Sequence, residues 1–372
     1  MRLLILNERD PEHPRAGGAE THVHEIFSRL AARGHQVTTL CSAFPGGAPR
    51  AELDGVHFER RGALPWHYPL AAAACARATR RGEADAVVDC LNKLPYLSPL
   101  YSRVPVLGLC HHLFGATAFR QVSAPVAAAV WSAERAIPWV FRHSRFVAIS
   151  ESTRDDLVRR GVSAEEIEVQ HPGIRRPEAP ARPIAQREPL LVYVGRLEAY
   201  KRVDWLLEVL ARVAPRQPEV RLVVIGRGRE APRLERRARE LGVAERVQFA
   251  GFVSDAERDV WLARARVCVC ASTKEGFGLT VIEANAVGTP NVATRAPGLR
   301  DTVRHGETGF LVEARDLEGF AQRVEDLLRD DALAERTSRA SLEWSHRFDW
   351  KRAADAMQRT LESVVRSGAA TS

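Results

Sequence analysis

Two glutamates, Glu275 and Glu283, bracket the segment of this chain best equipped for chemistry, with Gly276, Phe277, Gly278 and Leu279 between them. The apolar run before Ser272 reads as a buried strand ending at Ala271, and a helix is expected from Leu279. Free N–H groups at a helix start, with no side chain at Gly276 or Gly278 to obstruct approach, suit a phosphate or sugar hydroxyls. If both glutamates were helical they would stand about 12 Å apart along the axis. That exceeds the ~5–5.5 Å of a paired nucleophile and acid at a retaining glycosidase centre. Carboxylates so spaced suit different parts of one extended ligand, such as two polyol groups separated by a diphosphate. The plain alternative is a solvated loop glutamate followed by a helix glutamate.

The elements that must position this segment are legible in the pattern. In the first half, strands are expected at 3–6, 37–40, 56–59, 86–90, 106–110 and 145–149. A helix is expected over 19–33, with Val23, Ile26, Phe27 and Leu30 at helical spacing and Gly34 closing it. The apolar, aromatic stretch 113–143 reads as one or two further helices. A break comes near Pro172-Gly173, and the proline-rich run to Pro189 reads as a linker. The alternation then restarts, with strands at 190–194, 221–225, 247–250, 267–271 and 290–293. Helices are expected at 203–214, 231–241, 255–265, 279–287 and from 317 onward. The expected organisation is an α/β N-terminal domain at 1–172, a linker at 173–189 and a second α/β domain at 190–349. A last helix within 350–372 is expected to pack back on the first domain. Two doubly wound parallel sheets would face each other across a cleft, with ligands at the carboxyl ends of their strands.

The 372 residues suffice for two such domains. No stretch approaches the ~20 apolar residues that span a bilayer, and the first residues read as a buried strand, not a secretory signal. The six cysteines lack metal-ligand spacing and most sit in apolar runs, as reduced core thiols do. A cytoplasmic protein is expected. The formal charge of +7 points to an anionic ligand, an anionic membrane surface or nucleic acid, or to a bias toward arginine over lysine. Motifs for nucleic acid are absent. Lysine occurs only at Lys93, Lys201, Lys274 and Lys351. The aromatic, basic stretch 131–145 and the cluster Arg77, Arg80 and Arg81 could rest on the inner face of an anionic membrane, or be a packing helix and a solvated face.

The string from Glu275 to Glu283 resembles the E-x7-E signature of the glycosyltransferase family 4 group of retaining GT-B enzymes. Separated motifs extend the likeness over nearly the whole chain. Gly195-Arg-Leu-Glu-Ala-Tyr-Lys201 resembles the diphosphate-binding segment, Ile225-Gly-Arg-Gly228 the glycine turn of the second domain, and Gly251-Phe-Val253 the turn where the nucleobase rests. Gly306 to Leu311 resembles a late turn, Gly17-Gly-Ala-Glu20 the glycine loop before the first helix, and Ser150 to Leu157 the end of the first domain. His111 stands where the family places a histidine at a strand end, but His112 follows it where an acidic or small polar residue is usual.

The resemblance implies the GT-B architecture and transfer of a hexose-type sugar from a nucleoside diphosphate to an alcohol, which is a lipid, glycan or small metabolite. It implies retention by front-face attack, with the leaving phosphate helping to deprotonate the acceptor. Arg196 and Lys201 would then meet the departing diphosphate, Glu275 the donor sugar and Glu283 the ribose. Backbone at Gly276, Phe277, Gly278 and Leu279 would bind the donor, with Gly195, Gly226 and Val253. Gly17 and Gly18 would approach the diphosphate, His111 the transferred sugar, and His112 and Glu20 the acceptor. No Asp-x-Asp motif occurs, so independence of metal and of any cofactor is expected, and a residue near Val253, Ser254 or Asp255 could select the base.

Other readings differ in a testable way. Gly226-x-Gly228-x-x-Ala231 fits the dinucleotide fingerprint of an oxidoreductase, although the expected acidic residue does not end the next strand. A sugar phosphorylase or nucleotide-sugar epimerase would use the same scaffold without an acceptor alcohol. A binding module without activity should lack the set Arg196, Lys201 and Glu275, all of which are present.

Overall fold

Apolar strands alternate with amphipathic helices along most of the chain and build two units, Met1–Gly173 with Trp350–Ser372, and Ile174–Asp349. The computed structural model describes residues 1–92, 94–115, 119, 123–178 and 180–370. Lys93 and part of the stretch 113–143 therefore lie outside the described residues.

The first unit runs β1 (Arg2–Leu6), α1 (Gly18–Ala32), β2 (Gln36–Cys41), β3 (Arg50–Leu53), β4 (Val56–Arg60), α2 (His67–Arg80), β5 (Ala86–Leu91), β6 (Val106–Cys110), α3 (Ala124–Val140), β7 (Arg145–Ala148), α4 (Glu151–Arg159) and β8 (Ile167–Val169). Its sheet order is β3-β4-β2-β1-β5-β6-β7-β8. Every pairing is parallel except the short edge strand β3 against β4. Strand β5 is buried along its whole length, as a strand covered on both faces must be.

The second unit follows with β9 (Glu188–Val194), α5 (Val203–Val213), β10 (Arg221–Ile225), α6 (Ala231–Glu240), β11 (Val247–Gly251), α7 (Asp255–Arg264), β12 (Ala265–Cys270), α8 (Leu279–Ala286), β13 (Asn291–Thr294), α9 (Leu299–Thr302), β14 (Gly309–Val312), α10 (Leu317–Arg329) and α11 (Asp331–Ser345). Its parallel sheet is ordered β11-β10-β9-β12-β13-β14. Helix α5 turns Val203, Leu206, Leu207, Leu210 and Val213 into a core shared with Leu191, Val224 and Phe320. Helix α7 starts where Ser254 accepts from Glu257 N–H and the Glu257 carboxylate returns to Ser254, a reciprocal cap.

Helix α12 (Trp350–Ala370) belongs to the first unit. Its Asp355 and Gln358 bind Arg33 at the end of α1, at 2.6 and 2.9 Å, and Thr360 accepts from Gln170 at 2.8 Å. The elements that sequence patterning misses are weakly patterned. Strand β3 is half-exposed throughout, α2 is built around a run of alanines, and β8 has only three residues.

The boundary between the two compact units falls at 173/174. Much of the proline-rich stretch is structural: Ile184 is 2% exposed and joins the second core. Arg187 is buried there without a carboxylate in ion-pairing range among the described residues. Its guanidinium instead donates to the carbonyls of Arg182, Ala265 and Val287 and to Thr289 Oγ1, at 2.6–3.1 Å. Burial pulls its pKa down to about 10, still far above neutrality, so the cation persists and gathers the ends of α7 and α8 onto the start of β9. Arg187→Met should cost about 3 kcal/mol by leaving buried carbonyls unsatisfied. Denaturant titration checks this, and an unchanged midpoint would contradict it.

Candidate active site

In the second unit the site grows from one topological fact. The chain builds β9 first, lays β10 and β11 on one side, and returns with β12 on the other, pairing Val192 with Cys268 in parallel. The loops leaving β9 and β12 therefore emerge side by side, at the point where ligands bind in open α/β sheets. The β9 loop ends in a 3-10 turn, Ala199–Lys201, and the β12 loop carries Glu275. Tyr200 carbonyl accepts from both Thr273 N–H and Thr273 Oγ1, at 2.9 and 3.2 Å, which sews the loops together. Lys201 Nζ then donates to Glu275 Oε1 at 2.5 Å, with the two side chains 15% and 14% exposed. Burial opposes the lysine charge, yet Glu275 and Tyr200 hold Lys201 above the usual lysine range. Glu275 N–H is fixed on the Pro297 carbonyl at 2.9 Å.

Arg196 stands exposed beside this pair, its Nη2 donating to the Tyr200 hydroxyl at 3.0 Å, while the buried Tyr193 hydroxyl donates to the Arg196 carbonyl at 3.0 Å. Gly195 N–H bonds Ile225 carbonyl and Gly226 N–H bonds Gly251 carbonyl, packing three strand ends together. A Cβ at Gly226, where φ is +137°, would lie 1.9 Å from the Gly195 carbonyl oxygen, so no other residue fits. Val253 follows, half-buried, next to Phe252, which is 72% exposed with the Arg227 guanidinium 5.8 Å from its ring centre.

The helical estimate of the spacing between the two glutamates does not apply. Helix α8 opens at Leu279 after Gly278 in a left-handed conformation (φ +81°), so Glu275 is not helical. Phe277 is buried against Phe348, ring centres 5.5 Å apart, which pins the loop. Glu283 sits on α8 with its own cation, Arg258 of α7, at 3.2 Å. Burial raises the Glu283 pKa and Arg258 works against that rise.

The first unit supplies a second group. Gly17 precedes α1, Gly18 is its first residue, and Glu20 Oε2 accepts from Gly17 N–H at 2.8 Å, so Glu20 is engaged in capping its own helix. His111 ends the run of β6, 2% exposed, with Nε2 3.0 Å from His22 Nδ1. Burial lowers the His22 pKa to about 3, keeping it neutral. One ring nitrogen donates and the other accepts across this contact, according to the tautomer each imidazole adopts. His112 is half-buried with its ring edge toward Phe114, centroids 4.7 Å apart. The loop beyond is held by Glu134 of α3, which accepts from Phe114 and Gly115 N–H at 2.6 and 2.7 Å.

The second unit thus brings Arg196, Lys201 and Glu275 together and sets Glu283 on its own arginine, while Gly17, Gly18, Glu20, His111 and His112 belong to the first unit. Sequence reading missed Arg258, Tyr200, His22 and Glu134, whose roles depend on partners distant in sequence. The Ser254-x-x-Glu257 box gave the start of Arg258's helix but not its target. Among the described residues no group of three or more His, Cys, Asp or Glu side chains is placed to hold a metal ion, and all six cysteines are buried and unbridged. A double-mutant cycle of Lys201→Met and Glu275→Gln should give a coupling of about 1–3 kcal/mol in unfolding free energy; additive losses would mean the pair does not interact.

Two family models match adjoining parts of the chain: Glycosyltransferase Family 4 over residues 16–176 and Glycosyl transferases group 1 over residues 175–344. The chain is 29% identical to a glycogen synthase from Mycobacterium tuberculosis, over 96% of this chain and 93% of that protein. It is also 29% identical to a phosphatidyl-myo-inositol mannosyltransferase from Mycobacterium leprae, over 95% and 94% of the two chains. The fold is shared with the Anabaena protein HepE, solved in complex with UDP-glucose, at a TM-score of 0.77 and 20% identity over 98% and 100% of the chains. The chain belongs to the family 4 type of glycosyltransferases, enzymes that use sugar-nucleotide donors on the two-sheet GT-B fold.

Proposed function

We propose that this enzyme transfers a hexosyl group from a nucleoside diphosphate sugar to an alcohol acceptor with retention of configuration and without a divalent metal. The observation that carries the proposal is the half-buried pair Lys201–Glu275, with exposed Arg196 beside it, where the loops of β9 and β12 meet. Transfer releases a charged diphosphate while positive charge builds at the anomeric carbon. Arg196 offers a forked donor and Lys201 a point charge to the departing phosphate, a fixed arrangement that needs no reorganisation. Glu275 takes the donor sugar's hydroxyls and Glu283 the ribose. Backbone N–H groups at Gly276, Phe277, Gly278 and Leu279 face the donor, and Gly195, Gly226 and Val253 receive the rest of the nucleotide.

In this reading Gly17 and Gly18 admit the diphosphate, and His111 contacts the transferred sugar through a ring oriented by His22. His112 serves the acceptor, and Glu20 shapes the glycine loop. The attack is front-face: the leaving phosphate oxygen takes the acceptor proton as the new glycosidic bond forms, so no enzyme nucleophile is required. A second observation concerns the acceptor. Helix α3 exposes Trp139 at 77%, with Trp131 and Val126 also exposed, Arg135 stacked on Trp131, and Arg142 and Arg145 following in sequence. Such a surface suits peripheral contact with an anionic membrane, and no helix among the described residues is long and apolar enough to cross one.

Glu275→Ala and Arg196→Ala should each lower turnover at least about 100-fold with folding retained by circular dichroism; wild-type turnover in either would refute the assignment. Chelator should leave the rate unchanged, and strong inhibition would overturn metal independence. A thermal-shift panel of UDP, GDP and ADP with their sugars should single out one base, since a ligand at 100-fold its Kd stabilises by about 2.7 kcal/mol. A shift with dinucleotides alone would favour an oxidoreductase.

A further inference from the structure

Glu283 is not held by its own helix. Its Oε1 lies 3.2 Å from Arg258 Nη1, and among the described residues Oε2 has no side-chain partner. Arg258 is itself fixed from below: Nη1 meets Asp255 at 2.9 Å, and Nη2 meets the buried carboxylate of Asp259 at 3.0 Å. Asp259 is shared with Arg175, at 2.7 Å. Arg258 is only 14% exposed and Asp259 only 3%, so the ion pairs with α7 restrict the guanidinium's orientation. The result is a row of alternating charges, Arg175–Asp259–Arg258–Glu283, ending on an oxygen that is still free to accept.

We infer that Arg258 is a positioning residue for donor binding: it keeps Glu283 ionised and turned so that Oε2 meets the two ribose hydroxyls of the nucleotide. This rests on the placement of ribose at Glu283. Without Arg258, the groups facing Glu283 would be Asp255 and Asp259 of α7, the more distant Arg175, and Cys268 of β12, which stays a neutral thiol because burial raises its pKa above the physiological range. Burial and the two aspartates both favour a protonated Glu283. A neutral carboxyl makes weaker, less directional bonds to hydroxyls than a carboxylate does. The loss caused by removing Arg258 therefore grows as pH falls.

The test is calorimetric titration of the full chain with UDP and with GDP between pH 5.5 and 8.5. Arg258→Gln should weaken binding about tenfold at pH 6 and only a few-fold at pH 8, since one pKa unit is worth a factor of ten. Arg258→Lys, which keeps the charge and guards against misfolding of the first variant, should retain most of the affinity. In a Glu283→Gln background, Arg258→Gln should have no further effect. A pH-independent loss, or the same loss in both backgrounds, would make Arg258 merely structural and overturn the inference. If Glu283→Gln alone binds like wild type, the ribose placement itself fails; if it weakens binding while Arg258→Gln does not, only the inference fails.

Discussion

The parallel pairing of β9 with β12 is the constraint from which the candidate site follows. A sheet begun at β9 and extended first to one side, then to the other, leaves two loops adjacent at their carboxyl ends with no helix between them. An ammonium and a carboxylate placed on those loops must meet, and in the partly buried space over the sheet each makes the other's charge tolerable. Without Glu275, the buried Lys201 would lose its counter-charge; without Lys201, Glu275 would face burial alone. Glycines follow from the same closeness, because strand ends packed as tightly as Gly195, Gly226 and Gly251 leave no room for a Cβ at Gly226.

The first unit repeats the topology with different chemistry. Its sheet reverses between β1 and β5, and the residues just past those strands, Asn7 and Asn92, are joined by a side-chain hydrogen bond of 2.9 Å. The groups nearby are mostly neutral or engaged with each other, as in the His22–His111 pair and the Glu20 cap. Where charge is buried elsewhere it is satisfied locally: Arg187 by three oxygens at the ends of α7 and α8 and by the Arg182 carbonyl, and Arg60 by Asp10 and Glu12.

Much of this was legible in the sequence for physical reasons. Strands such as β6 and β10 announce themselves as short apolar runs bounded by polar residues, and α5 and α7 by spacing and caps. The family was legible because Glu275, Arg196 and Lys201 sit on short loops whose glycines leave a sequence trace, and Glu283 sits on the helix that follows one of them. What sequence could not show is pairing across distance. Arg258 looks like one more surface arginine in an arginine-rich chain until α7 and α8 are set side by side. His22 looks like a residue on an apolar helix face until His111 arrives from β6. The helical premise of the spacing estimate for the two glutamates fails because α8 begins after Glu275.

In the proposed reaction the donor is held by the second unit along the loops of β9, β10, β11 and β12 and the start of α8. Hydrogen–deuterium exchange with and without saturating UDP-glucose or GDP-mannose tests it most directly. Whichever sugar nucleotide binds should slow exchange at 195–201, 226–228, 251–254 and 275–283, with the deepest protection at 276–279. Protection elsewhere in the chain with those four segments unchanged would contradict it.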